Sequence, residues 1–305
     1  MKRASAWSVA WLPAVLAGCN HDGKTVVIEP AEDLTLAEVV SRVNANNVPV
    51  NFGLKGRSAG VSVSWTERVT PNDERTHHLQ ADAVALLLKP THMYIDLSHG
   101  FGKTVMQIGC NGERYWLWIE PEVDKLWWGK YEHLDKPCHK AMPIRAMPIR
   151  PDQLFEALGV ADLPFDTTGP AGPMLRVSGE RNELLIVSID EDDQHYIVKE
   201  YGVDRRPPYL IREVIHRDRD GRVLMHTTLG KYGPVRSGTG GTSGSMMAHE
   251  IHVEWPIRKA TLDLEISEWM RLDAVDKDAP GFVFPLDEPD HDYREIEQVD
   301  QACER

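Results

Sequence analysis

Two histidine clusters, a glycine-rich segment, an acidic run and one isolated thiol are the features of this chain that could carry chemistry. His133, Cys138 and His139 lie close together, and Cys110 can approach them from an earlier stretch. Imidazole and thiolate both ligate zinc, but structural zinc sites favour tight Cys-x2–4-Cys or His-x3–5-His pairs and take four ligands. Here Pro137 interrupts the spacing and a second pair is missing, so no metal ligand is assigned and a metal-dependent enzyme stays a rival reading. His249-Glu-Ile-His252 is one residue short of the helical His-Glu-x-x-His zinc signature. On a strand its two histidines face opposite sides, and the neighbours His77 and His78 fail for the same reason. Gly238 to Ser245 has the glycines of a phosphate loop without its Gly-Lys-Ser/Thr ending, and reads as a flexible loop. The carboxylates of Asp190 to Asp193 suit either weak calcium binding or a solvated hairpin tip. No catalytic set assembles, and the chain is read as non-enzymatic and free of cofactor.

Cys19 differs in kind. Lys2 and Arg3 precede an apolar run from Ala4 to Val15, which is too short to span a bilayer at roughly 20 residues. It has the proportions of a secretory signal. Leu16-Ala17-Gly18-Cys19 resembles the lipobox of bacterial lipoproteins. That resemblance implies removal of residues 1–18, diacylglycerol on the Cys19 thiol and acylation of the new amino terminus, a palmitate-like chain included. Two or more chains anchor a protein stably where one does not. Residues 19–33, polar and with one proline, then form the lipidated terminus and its tether. Asn20 is not Asp, which by the enteric sorting rule directs such a protein to the periplasmic face of the outer membrane; the outer face of the cytoplasmic membrane is the alternative.

Charge narrows the partners. The 305 residues carry a net charge of −13, which repels nucleic acid and anionic headgroups, so membrane attachment must come from lipid on Cys19. At 42% hydrophobic residues, the mature chain can bury a large core, and residues 34–286 are read as its folded domain. Residues 287–305 are acidic and read as a poorly ordered tail. With Cys19 lipidated, Cys110 and Cys138 are the candidate disulfide, since Cys303 sits in that tail.

The elements follow from period. Thr35 and Glu38 have capping-box spacing, and Leu36, Val39, Val40 and Val43 share one helical face before Asn46 and Asn47 end it. Strands are expected at 52–57, 61–69, 79–89, 92–98, 104–108, 114–120 and 125–131, with Ser58-Ala59-Gly60 as a turn. Asn111-Gly112 is the strongest hairpin signal. Pro151 to Leu158 reads as a short helix stopped by Gly159. Strands resume at 175–177, 184–190, 195–203, 210–217, 223–232, 250–255 and 261–272. Ala-Met-Pro-Ile-Arg occurs twice over residues 141–150; a five-residue copy is too short for a repeat unit and is assigned no function.

This order is β-dominated α+β with hairpin connectivity. It resembles the lipoprotein-localisation carrier and receptor family, the LolA/LolB-like proteins, over most of residues 34–286. The resemblance rests on the helix Leu36–Val43 leading into Phe52-Gly-Leu-Lys-Gly, on Leu86-Leu-Leu-Lys-Pro, Met93-Tyr-Ile-Asp-Leu, Val105-Met-Gln-Ile and Tyr115-Trp-Leu-Trp, on Pro151–Leu158, and on Phe282-Val-Phe-Pro. It implies an unclosed antiparallel barrel, a half-barrel, whose concave face is covered by a helical lid and binds the acyl chains of a lipid or lipoprotein. No family binding arginine maps onto a position here.

Strand alternation nominates Leu86, Leu88, Met93, Ile95, Leu97, Met106, Ile108, Trp116 and Trp118 as lipid-binding residues. Arg114 to Glu120 is apolar on both faces, with Trp116 and Trp118 on one and Tyr115, Leu117 and Ile119 on the other, so it needs cover on both sides. The alternative is an envelope scaffold whose half-barrel is filled by its own side chains. Trp127 and Trp128 would then be surface contacts for a protein partner.

Overall fold

The computed structural model describes residues 31–48, 53–70, 73–100, 102–120, 124–134, 147, 149–164, 173–189, 194–238, 240–287 and 293–304. Cys19, Cys138, His139 and Asp190 to Asp193 lie outside the described residues, as do the expected signal and most of the tether.

Helix α1 spans Leu36–Asn47 and opens with the expected capping box. The Thr35 backbone N–H donates to Glu38 Oε2 at 2.8 Å, and Glu38 N–H donates to Thr35 Oγ1 at 3.4 Å. These bonds satisfy donors that the first turn leaves without helical acceptors. Val39, Val40 and Val43 form its buried stripe.

The rest is sheet. In chain order the strands are β1 (Leu54–Thr70), β2 (Asp73–Leu88), β3 (His92–His99), β4 (Lys103–Asn111), β5 (Arg114–Ile119) and β6 (Lys125–Lys130). After a short helix, Leu154–Ala157, come β7 (Met174–Ser178), β8 (Arg181–Ile189), β9 (His195–Asp204), β10 (Ile211–Arg217) and β11 (Val223–Gly230). Then follow β12 (Gly233–Ser237), β13 (Thr242–Met247), β14 (Glu250–Trp255), β15 (Ala260–Arg271) and β16 (Glu295–Gln298). Their spatial order is β16-β6-β5-β4-β3-β2-β1-β15-β14-β11-β10-β9-β8-β7, with the β12–β13 hairpin off this path. The two ends, β16 and β7, are not paired with each other, so the sheet is open. All pairings on this path are antiparallel except β16 with β6; off it, β12 runs parallel to β15. The unclosed, β-dominated architecture expected from the sequence is the one observed.

Four details differ from expectation. Residues 58–60 are a bulge within β1 and not a turn, with register shifts against both β2 and β15. The Ala83 amide left over by the shift donates to Ser58 Oγ at 2.6 Å, which explains why the strand can continue. Gly238 to Ser245 is a hairpin and not a loose loop: Gly240 and Gly241 take positive φ, and Ser245 is buried with its hydroxyl donating to Asn46 O at 2.6 Å. Residues 295–298 of the expected disordered tail form β16, whose register runs Glu295↔Lys125 to Gln298↔Trp128. Lys125 Nζ joins Glu295 at 2.5 Å and Glu297 at 2.8 Å, so the acidic residues of the tail find a cation at the sheet edge. Finally, Cys110 is a free thiol with zero exposure, so the expected pairing of Cys110 with Cys138 is not made. Cys303, set aside on sequence grounds, is the disulfide-bonded one. Burial pushes the Cys110 thiol up to about 12, which makes it inert.

Candidate functional site beneath the cover

Register sorts the nine nominated residues onto two faces. Met93 opposes Leu87 and Cys110, Ile95 opposes Ile108, and Leu97 opposes Met106, so Met93, Ile95, Leu97, Met106 and Ile108 share the inner face. All five are at most 1% exposed. Leu86 opposes Tyr94, Leu88 opposes His92, Trp116 opposes Gly109, and Trp118 opposes Gln107, which puts Leu86, Leu88, Trp116 and Trp118 on the outer face. A single cavity lined by all nine is therefore ruled out by the pleat.

The outer-face tryptophans have their own cover. Trp116, Trp118 and Leu126 form a small core with Phe284, packed by Trp128 and Tyr293. Phe284 meets Trp116 edge-on at 5.7 Å between centroids, and Tyr293 meets Trp118 at 5.8 Å. Gly109 leaves the space that Trp116 fills, because a Cβ there would lie 2.2 Å from the indole. The expected surface pair is not at the surface: Trp127 is buried on the inner face and Trp128 lies half-buried against Phe284.

The inner face is closed by α1 and by residues 147–163. Met147, Ile149, Leu154, Phe155, Ala157, Leu158, Val160 and Leu163 join the valines of α1 and the inner strand residues in one apolar cluster. The second copy of the duplicated pentapeptide thus supplies two core residues, Met147 and Ile149. Hollows of about 450, 340 and 600 Å³ occur elsewhere, and none is lined by any nominated residue.

What holds the cover down is polar. Glu156, on the short helix, accepts from Lys199 Nζ at 2.5 Å and from the Tyr201 hydroxyl at 3.0 Å, and lies 2.6 Å from His216 Nε2. Lys199 opposes His216 across β9 and β10, and Tyr201 opposes Val214, so all three reach Glu156 from the inner face. Burial by itself would raise the Glu156 carboxyl; the hydrogen bonds and charges of His216 and Lys199 outweigh that and hold it at about 2. Burial and the same carboxylate push the Tyr201 hydroxyl up.

Three asparagines at the end of α1 add to this. Asn44 exchanges two bonds with the Leu163 backbone, at 2.8 and 3.1 Å. Asn47 donates to the carbonyls of Ala161 and Gly159 at 3.2 and 3.5 Å, and Asn46 pairs with the Met246 backbone at 2.8 and 3.0 Å. Each side-chain amide stands in for a strand neighbour and satisfies backbone groups that irregular segments would otherwise bury unpaired.

Neither the Glu156 cluster nor the asparagine set was nominated from sequence. The available signal was faint: Lys199 and Tyr201 are two apart on β9 and share a face, while Glu156 interrupts the apolar side of Leu154–Leu158. The metal reading finds no support among the described residues, where no group of three ligand-type side chains is placed to hold an ion. His133 instead lies 2.7 Å from Asp300, a buried carboxylate that also accepts from Lys130 N–H at 2.8 Å.

No protein-family model and no curated protein matches the sequence. Solved structures do. A LolA superfamily protein from Nitrosomonas europaea aligns with a TM-score of 0.44 and 13% identity, covering 80% of this chain and 97% of that one. A DUF1329 family protein from Desulfovibrio piger aligns at 0.44 and 8%, covering 79% and 94%. A domain named for outer membrane lipoprotein sorting, from Vibrio parahaemolyticus, aligns at 0.36 and 10%, again covering 79% and 94%.

Proposed function

We propose that the protein is a non-catalytic envelope lipoprotein, anchored through lipid on Cys19, which takes up acyl chains between its inner sheet face and the 147–163 cover. The observation that supports this reading is the charged fastening at Glu156 of a contact whose core is apolar. A partly buried carboxylate ringed by a lysine, a tyrosine and a histidine is often no more stabilising than well-packed apolar side chains of the same volume. It suits a contact that must part and re-form, because its partners regain water when separated. Once the cover lifts, Met93, Ile95, Leu97, Met106 and Ile108 offer an apolar surface, and each CH₂ buried on it contributes about 0.8 kcal/mol.

The test is uptake of a fluorescent long-chain fatty acid by the purified, delipidated full chain. Saturable binding, with faster association in Glu156→Gln than in the unaltered chain, is expected. Absence of uptake in both would sink the reading. A second reading, a scaffold filled by its own core, is favoured by the close packing of the inner face, and that negative result would carry it.

A further inference from the structure

The cover carries one carboxylate into an apolar contact, and the sheet meets it with three donors. Glu156 Oε1 accepts from Lys199 Nζ at 2.5 Å, while Oε2 takes the Tyr201 hydroxyl at 3.0 Å and lies 2.6 Å from His216 Nε2. An ionised carboxylate can only accept, so the proton of the His216 bond sits on Nε2 and all three neighbours donate. The donors stand on β9 and β10 and not on the cover, with Lys199 opposite His216 in register. Each has an apolar neighbour across the ladder: Ile186 opposes Lys199, Leu184 and Val214 oppose Tyr201, and Met225 opposes His216. Leu184, Val214 and Met225 are fully buried in the inner core. From the cover, Leu154, Phe155 and Leu158 pack into that core on either side of Glu156. Lys199 is about one-third exposed, so the charged end of the set opens toward solvent. A few convergent polar groups on an apolar floor are what a small-molecule site needs.

We infer that Lys199, Tyr201 and His216 form a receptor for the carboxylate of a free fatty acid, and that Glu156 occupies it while the cover is down. The fatty-acid tail rests on the acyl-binding reading above; the carboxylate receptor does not. When the cover lifts, Glu156 leaves with it, and the three donors face an apolar floor without their acceptor, which is unfavourable. A fatty-acid carboxylate has the same two oxygens and restores the same three bonds, while its chain takes the places of Leu154, Phe155 and Leu158. An alcohol or an ester brings no charge to Lys199 and gains less. Cover and ligand thus compete for one set of donors, and the ligand favours the open state by its affinity for that state alone.

Two measurements on the purified, delipidated full chain test this. The first needs no fatty acid. In Glu156→Ala the receptor is vacated, and acetate should raise the melting temperature of that variant above its value in equal chloride. The unaltered chain, and Glu156→Ala combined with Lys199→Met, should show no such gain. No gain in Glu156→Ala, or an equal gain in all three proteins, would overturn the receptor. The second measurement compares dodecanoate with dodecanol by calorimetric titration. The unaltered chain should bind dodecanoate about tenfold more tightly, a comparison that needs no variant to fold. That ratio should grow in Glu156→Ala, where the rival carboxylate is gone, and fall to near one in Lys199→Met. A loosened cover alters both ligands alike, so the ratio reports the head group. Equal affinities in every protein would overturn the receptor and leave the acyl reading standing. Binding of neither amphiphile, with the acetate effect intact, would keep the receptor and overturn its fatty-acid occupant together with the acyl reading.

Discussion

On the outer face of β4–β6, Trp116, Trp118 and Leu126 lie under Phe284, with Trp128 and Tyr293 at the margin. On the outer face of β10–β15, the same alternation presents His226 to Glu213 at 2.7 Å, His252 to Glu254 at 2.9 Å and Arg217 to Glu200 at 2.5 Å. The inner faces of both regions belong to one core. The difference lies wholly in the outward residues, and it explains why Phe284 and residues 293–300 pack at one end of the sheet and not the other. An outward face of tryptophans must be covered by chain, whereas an outward face of paired charges is covered by water. The return segment also pairs β16 onto β6, which closes an edge that would otherwise invite another strand.

Four substitutions test that contrast. The largest effect is expected at Trp116→Ala, which removes a fully buried ring between β5 and Phe284. It should cost about 3–5 kcal/mol in a urea unfolding curve; a loss below about 1 kcal/mol would mean that the aromatic layer is not a true core.

Glu156→Gln comes next and acts through pH. The Glu156 carboxyl is held at about 2, below its unfolded value, so its stabilisation is complete above the unfolded value and is lost as pH falls toward 2. Up to about 3 kcal/mol is at stake. Between roughly pH 4.5 and pH 2, the unaltered chain should lose stability by this route and the glutamine variant should not. Parallel curves for the two proteins would show that the charge of Glu156 does not help to hold the cover.

Asp300→Asn should cost about 1–2 kcal/mol, because His133 and the Lys130 amide lose a charged acceptor in a buried setting. Amide hydrogen exchange should then quicken in β16 and leave β10–β15 unaffected; uniform quickening would contradict a local role. The smallest effect belongs to His252→Gln on the wet face, within about 0.5 kcal/mol. Its ring is about two-fifths exposed, and its carboxylate partners hold it protonated above its usual range despite burial, which opposes this. The small contribution should be present in mild acid and fade as pH rises through the shifted value.

Much of this was legible in local pattern. The capping box at Thr35 and Glu38, the hairpin at Asn111-Gly112 and the two-faced strand at Arg114–Ile119 each depend on neighbours a few residues apart. The two-faced strand at 114–119 calls for a second cover and Phe282-Val-Phe-Pro is an apolar stretch able to give one, although nothing local joins the two. What escaped were contacts made across long separations. Ser58 replaces a lost strand partner for Ala83, Asn47 meets Ala161, and Glu156 meets Lys199, Tyr201 and His216. A polar residue at such a position reads as solvated until the fold supplies its partner. The nine nominated apolar residues show the same limit: alternation grouped neighbours within a strand correctly, but only strand register could say which groups share a face.

By itself, then, the sequence determined the kind of element each stretch forms and the sidedness of each strand, because backbone geometry ties side-chain direction to a period of two or 3.6 residues. The tertiary structure decided which apolar sides meet and what covers them. It also placed Glu156 and Arg150 in largely buried surroundings where water screens their charge less. Those outcomes depend on residues far apart in sequence, 43 positions for the bond from Lys199 to Glu156 and 111 for that from Arg258 to Met147, and on burial, which no short window of sequence contains.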